Sequence, residues 1–408
     1  MNIRLCGELW ITPQVVQLPK SLYTTDCMLC NLESPITKQK NEIVKSGITL
    51  KGENEDFARW VKPFKNPPFF SLANNHVGDF GEKGILDTIT VCEENRVLYG
   101  GVSRENTLTP VEIITPEASI AVICVGEKQF GISQKNRVGT DYVSPRLYSV
   151  IREAKTTHDI VILSIHAAAE MFPVPAPLWQ EQLRSYIDCG VDIIHGHHSH
   201  VPQGWERYHD GWIFYGLGNF CVRYDRWKWA KNTLWSLSAD IKIQNRKIQE
   251  VNVIPLEMCR RETDINDSTR EVSIREMPLE KYADYVKMVN EPLSKPDLLA
   301  GIWQEFSIKM YESFFGPVLY TRSIEILDQS LKSRIRNAFL CLKNRYDAFI
   351  PNYGRKPTPQ ELALNYHLFS CISHQLAIET AIGVQFGELE DFRTSETRKI
   401  VDEFFQIF

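Results

Sequence analysis

The sequence predicts an α/β fold built on mostly parallel strands. Short apolar runs of four to eight residues alternate with segments of helical period. One run, Asp159 to Ile165, is apolar almost throughout, as expected of a central strand covered on both faces. Polar clusters follow the ends of several runs, where α/β proteins bind ligands. The clearest is Val191 to Ile194, which breaks at Gly196 and releases His197, His198 and His200 in a chain with ten histidines.

The elements follow in order. Ile3–Cys6, Met28–Leu32 and Phe69–Leu72 read as strands, with a loop or hairpin around Ile48–Lys51 and a helix from near Glu53. Gly84 to Val97 carries Ile85, Ile89 and Cys92 on one helical face. Ser119–Val125 is strand. Pro177 to Cys189 is an amphipathic helix with Leu178, Trp179, Leu183, Tyr186 and Ile187 inward, capped by Gly190. Trp212–Tyr215 and Leu234–Ile243 are further strands. From about residue 260 strand-like runs disappear, and Pro278–Val289, Pro296–Phe315, Arg322–Leu342, Pro359–Phe386 and Thr394–Phe408 read as helices. The polar stretch Arg260 to Asp267 reads as a linker, giving a domain over 1–260 and a helical region over 275–408.

Composition narrows the function. The 408 residues are 43% hydrophobic and 24% charged, enough for a large core. A net charge of −5 argues against a nucleic-acid surface and against a polybasic membrane patch. No run approaches the roughly 18 apolar residues of an integral membrane segment, and Met1 to Cys6 carries no secretory pattern, so a cytoplasmic location is expected. The ten cysteines are scattered, which fits reduced thiols better than disulfides. Cys27 and Cys30 have no second pair to complete a zinc site.

Five predicted strands end in polar residues: Gly7-Glu8, Asn31-Leu32-Glu33, Asn74-Asn75-His76, His166 and His198-Ser199-His200. His166, His198 and His200 offer nitrogen, Glu8 and Glu33 anionic oxygen, and Asn75 a carbonyl oxygen. Six donors exceed one tetrahedral zinc and suit two divalent ions sharing a carboxylate. The mixed shell fits Mn, Fe or Zn.

At these residues the chain resembles the CapA-like capsule synthesis family (poly-γ-glutamate type) of the calcineurin-like metallophosphoesterase superfamily. The matching segments are Asn31-Leu32-Glu33-Ser34-Pro35-Ile36-Thr37, Ser71 to His76, Asp79-Phe80-Gly81, His166 with Glu170, Gly196 to Val201, and Tyr215 to Phe220. The resemblance implies a four-layer α/β/β/α sandwich over roughly residues 1–257, with an added C-terminal helical region. It implies that Glu33 bridges the metals, that Asn75, His166 and His198 complete one site, and that Glu8 and His200 complete the other. His76 falls where a histidine contacts the scissile phosphate and protonates the leaving group, and Asp79 where a carboxylate orients it. The chain departs from the expected pattern in three places: Glu8 replaces the family's aspartate, Trp10 the superfamily's histidine, and Ala167-Ala168 the family's Trp-Gly pair.

The remaining candidates are less distinct. His197, His195, Glu170 and Asn219 read as residues behind or beside the ligands. His158, His209, His367 and His374 show no clustered partners and read as structural. Trp205, Trp212, Trp227, Trp229 and Trp235 read as core before sugar cleft. The expected function is a metal-dependent hydrolase in bacterial capsule or surface-polymer biosynthesis, acting on a surface polymer or a phosphorylated small molecule. The alternative is a non-catalytic assembly component. The C-terminal helices could form a lid, a homo-oligomer interface or a docking site for a partner enzyme.

Overall fold

The computed structural model describes residues 1–260, 271–315 and 358–405. Two sheets stack face to face. The first, of nine strands, runs in the order Val15–Gln17, Glu271–Glu276, Lys247–Arg260, Trp235–Gln244, Asn2–Leu9, Cys27–Leu32, Phe69–Ser71 and Leu98–Gly100, with Asn219–Cys221 also pairing Asn2–Leu9. The second, of six, runs Trp205–Tyr208, Gly211–Phe214, Ile193–His197, Ile160–His166, Ser119–Gly126 and Val111–Ile114. The site-bearing strands Asn2–Leu9, Cys27–Leu32 and Phe69–Ser71 are mutually parallel, as are Ser119–Gly126, Ile160–His166 and Ile193–His197. Their C-terminal ends therefore share one edge.

Strand alternation sorts the apolar residues into layers. Ile3, Leu5, Leu29 and Phe69 of the first sheet meet Ile120, Val122, Ile162 and Ile193 of the second. On the outer face of the first sheet, Met28, Cys30 and Phe70 pack under Phe57 and Val61 of helix Asn54–Val61 and Ile85 and Cys92 of helix Gly81–Glu94. On the outer face of the second, Ala121, Ile123, Val161 and Leu163 lie under helices Arg146–Thr157 and Pro177–Asp188. The result is the four-layer α/β/β/α sandwich. Each fully buried Leu, Ile or Phe side chain contributes about 1.5–3 kcal/mol.

The C-terminal helices extend this outer layer. Trp303 and Phe306 of helix Pro296–Met310 join the core formed by Trp179, Leu183 and Phe172, and the Phe172 and Phe306 rings stack at 3.9 Å. Among the described residues no helix is long and apolar enough to cross a membrane.

Several expectations change. Strands do not stop at residue 260, because Glu271–Glu276 joins the first sheet between Val15–Gln17 and Lys247–Arg260. Leu178 is 55% exposed, since it lies on the solvent side of its helix while Trp179 and Leu183 fill the core. Residues 48–51 form a loop, one of the two forms expected there. Pro359–Phe386 is two helices, Pro359–Ser370 and Ile372–Phe386, broken where Cys371 turns extended. The expected helix over Arg322–Leu342 and most of the linker lie outside the described residues.

Two local features aim the first strand. Leu5 pairs Leu29 but Glu8 pairs Asn31, so one extra residue is inserted before Glu8. Such a bulge reverses the alternation and turns Glu8 to the inter-sheet side that Leu5 and Leu29 share. Gly7 meanwhile lies against Gly218, and a Cβ on Gly7 would stand 1.8 Å from the Gly218 carbonyl oxygen. Gly7→Ala is therefore expected to destabilise the fold by about 3 kcal/mol through overpacking against backbone. The shift of the urea midpoint measures it, and an unchanged midpoint would show that the strand end can move aside.

Candidate metal centre

Strand register brings the polar residues together before any side chain is considered. Glu8 pairs with Asn31 on one side and Asn219 on the other. In the second sheet His166 pairs with His197 and Gly126. Beyond that edge the chain bends sharply. His198 and His200 take φ of 82° and 57°, in the left-handed region. For non-glycine residues this costs on the order of 1–3 kcal/mol each, a strain that collects at functional sites.

Of the expected ligands, His166, His198, His200, Glu8 and Glu33 are all buried, and Asn75 is partly so. His166 Nε2 lies 3.0 Å from Asn75 Oδ1, close enough for the two atoms to share one ion. His200 Nε2 lies 3.6 Å from Glu33 Oε1, and His198 Nε2 3.6 Å from Glu170 Oε1. One ligand atom from each of Glu170, His198 and His200 falls within 4.8 Å of the others. Glu170 thus faces the cluster directly.

Glu8 is placed differently from the expected grouping with His200. Its nearest imidazole nitrogens are His166 Nδ1 at 3.6 Å and His197 Nδ1 at 3.8 Å. One carboxylate oxygen accepts from Asn31 Nδ2 and the other from the His198 backbone N–H. Asn219 stands behind His200, its Oδ1 3.0 Å from His200 Nδ1. His197 Nε2 meets Ser164 Oγ at 3.2 Å, and His195 Nε2 reaches across to the Cys6 carbonyl oxygen at 2.8 Å.

His76 and Asp79 form a pair. His76 Nδ1 lies 2.8 Å from Asp79 Oδ2, which fixes the proton on Nδ1 and leaves Nε2 as the other ring nitrogen. Asp79 also accepts from the Leu50 N–H at 2.6 Å and from Lys45 Nζ at 2.7 Å. Lys45 was not anticipated. Its side chain is only 3% exposed, and Nζ also donates to the Asn75 carbonyl oxygen at 3.0 Å. It sits in a polar loop whose sequence carries no period to single it out.

Two further residues were missed although a signal existed. Glu127 and Gln129 follow the strand Ser119–Gly126, another parallel strand end at the same edge. Glu127 Oε1 lies 3.4 Å and Gln129 Nε2 3.2 Å from His198 Nε2. A further correction concerns His367 and His374. They are clustered, with each other and with Cys371.

The electrostatics follow from burial. Desolvation, then Glu33, pushes the Glu8 carboxyl up to about 8. Desolvation, then Glu170, pushes Glu33 up to about 8. Burial holds His198 down at about 3 and His166 well below the usual imidazole range. Burial, then Lys45, also lowers His76. Glu33 Oε1, His197 Nδ1 and His198 Nδ1 are buried with no hydrogen-bond partner. Orphaned acceptors of this kind are rare, and neutral imidazoles beside unpaired carboxylate oxygen suit a divalent cation.

The cluster opens into a cavity of about 400 Å³. Glu33, Lys45, Asn75, His76, Glu170 and His200 line one side, and Phe306, Met310, Phe314, Phe315 and Leu364 the other. Of the five tryptophans weighed as a sugar cleft only Trp227 lines it, with its ring 4.7 Å from His200. Trp10, where the superfamily resemblance implies a histidine, lines it as well.

Residues 11–224 match the family of the bacterial capsule synthesis protein PGA_cap. The chain is 31% identical over 214 residues to the capsule biosynthesis protein CapA of Bacillus anthracis, covering 49% of this chain and 51% of that protein. It is 32% identical over 207 residues to the PGA biosynthesis protein CapA of Bacillus subtilis (strain 168), covering 48% and 53%. The chain thus spans about half the length of the curated relatives it matches. A crystal structure of a hypothetical protein from Thermus thermophilus aligns with 63% of this chain and 99% of that one, at 11% identity and a TM-score of 0.39. Glu8 and the helices beyond residue 277 lie outside the matched stretch. With just over half of its length matched, the chain belongs to the bacterial capsule synthesis PGA_cap family.

Proposed function

We propose that this chain is a metal-dependent hydrolase of phosphate-type esters that serves bacterial capsule or surface-polymer synthesis. The observation that carries the reading is the buried, unpartnered Glu33 Oε1, 3.6 Å from His200 Nε2 on the floor of the cavity. Glu33, Asn75, His166, His198 and His200 would hold divalent metal, Mn, Fe or Zn, with Glu8 beside them. Metal bound there supplies Lewis acidity toward a phosphoryl oxygen and a nucleophile from water at neutral pH.

The protein's own groups do the rest. Lys45 presents positive charge to an anionic substrate group, and His76, once protonated on Nε2, a hydrogen bond. Asp79 holds the His76 ring and favours its protonated form while a proton passes from His76 to the departing oxygen. Phe306, Met310, Phe314, Phe315 and Leu364 line the cavity with hydrocarbon, and an apolar wall strengthens the charge interactions beside it. A non-catalytic assembly role is the second reading. Glu8 favours it, because both of its oxygens are already committed to hydrogen bonds within the protein.

Metal analysis and a phosphatase and phosphodiesterase panel separate the two. Protein purified without chelator is expected to carry at least about one divalent ion per chain at the strand ends, and His198→Ala to lose that metal together with turnover. Less than one ion in the parent protein removes the catalytic reading. His76→Ala is expected to lower turnover of an ester with a poor leaving group by about 10²–10⁴-fold while leaving metal content unchanged. Equal loss of metal would make His76 a ligand or a structural residue.

Metal uptake has a pH sign. Glu8 and Glu33, both near 8, stay largely protonated in metal-free protein at neutral pH, whereas a bound cation needs them charged. Affinity is therefore expected to rise between about pH 6 and pH 8, with release of roughly one to two protons at neutrality. His198, at about 3, is already neutral in that window and adds no proton. Calorimetric titration in buffers of different ionisation enthalpy counts the protons. No release would mean that both carboxylates are charged before metal arrives.

A further inference from the structure

We propose that His367, Cys371 and His374 form a second metal position, for a thiolate-accepting divalent ion of the zinc type, at the break between helices Pro359–Ser370 and Ile372–Phe386. The three residues stand four and three apart, and across the break at Cys371 the two rings meet edge to face. Their ring centroids are 4.6 Å apart. One ligand atom from each of the three lies within 4.8 Å of the others.

The surroundings are those of ligating side chains. His367 Nδ1 is 2.6 Å from Ser46 Oγ, and His374 Nδ1 is 3.4 Å from the His367 carbonyl oxygen. A hydrogen bond at one ring nitrogen fixes the tautomer and frees the other, here Nε2, for an ion. The Cys371 thiol is 1% exposed, and its Sγ donates to Glu127 Oε2 at 2.9 Å. Binding breaks the S–H bond and forms a metal–sulfur bond, and the proton passes to Glu127. The other oxygen of Glu127 is buried, accepts no hydrogen bond and lies 3.4 Å from His198 Nε2. Glu127 therefore stands between this group and the strand-end cluster.

One sulfur and two imidazole nitrogens select zinc or cobalt over magnesium or calcium. Three protein ligands leave a fourth position open, as in catalytic rather than structural zinc sites, and His367 and His374 line the same cavity as Glu33 and His200. The ion would also tie the C-terminal helices to Ser46 and Glu127 of the sandwich.

The test uses the full chain, stripped with chelator and titrated with cobalt(II). None of the strand-end donors is a thiol, so a sulfur-to-cobalt charge-transfer band in the near ultraviolet reports this position alone. The band is expected in the parent protein and in His198→Ala, and absent from Cys371→Ser. His374→Gln keeps the thiol and is expected to weaken cobalt binding at this position by on the order of 100-fold. A parent protein without the band overturns the proposal. So does a band that persists in Cys371→Ser, or wild-type cobalt affinity in His374→Gln. Because His198→Ala disables only the strand-end cluster, failure here is distinguishable from failure of the hydrolase reading.

Discussion

Burying charge where two sheets meet is the constraint on which the site depends. An ionised carboxylate out of water is costly unless it is paired, protonated or bound to metal. Glu8 has a backbone N–H and an amide and still keeps its proton up to about pH 8, while Asp79 has Lys45, His76 and the Leu50 N–H. Glu33 has no such partner for Oε1. Between the two sheets the imidazoles are held neutral for the same reason. Protons or cations must therefore balance the cluster, and either choice alters what the strand ends can bind.

Much of this was legible in the sequence, for a physical reason. Strands buried on both faces must be apolar throughout, so runs such as Ile160–Ile165 stand out, and the polar residues that end them stand out in turn. Glu33, His166, His198 and His200 were visible in this way. Glu127 obeys the same rule just past Gly126, but Lys128 and Gln129 beside it make the segment look like an ordinary polar turn. Lys45 reaches the site from a loop, where no period marks it. The strand Glu271–Glu276 has charged residues at both ends and follows a polar stretch, so its two apolar residues were too few to register. His367 and His374 read as lacking partners, although with Cys371 they stand at i, i+4 and i+7, a spacing that shares one face even of a continuous helix.

The C-terminal helices change the character of the cavity. Phe306 belongs at once to the core beneath it and to the wall above the ligands. The site is thus half polar floor and half apolar roof, and the roof cannot be withdrawn without disturbing the packing of Phe172 and Trp303. A substrate held there would meet charge at its reacting end and hydrocarbon along its flank.

The inserted residue before Glu8 carries a consequence for how this strand end can vary. Reach toward the ligands is set by two increments of unlike size. One is a backbone step that flips the side chain from one face to the other. The other is a single methylene, the difference between aspartate and glutamate. Point substitution adjusts the second freely but cannot touch the first, which needs a residue gained or lost and has no intermediate. The acid at this position can therefore be exchanged while its direction stays locked, and divergence at the strand end is confined to arm length.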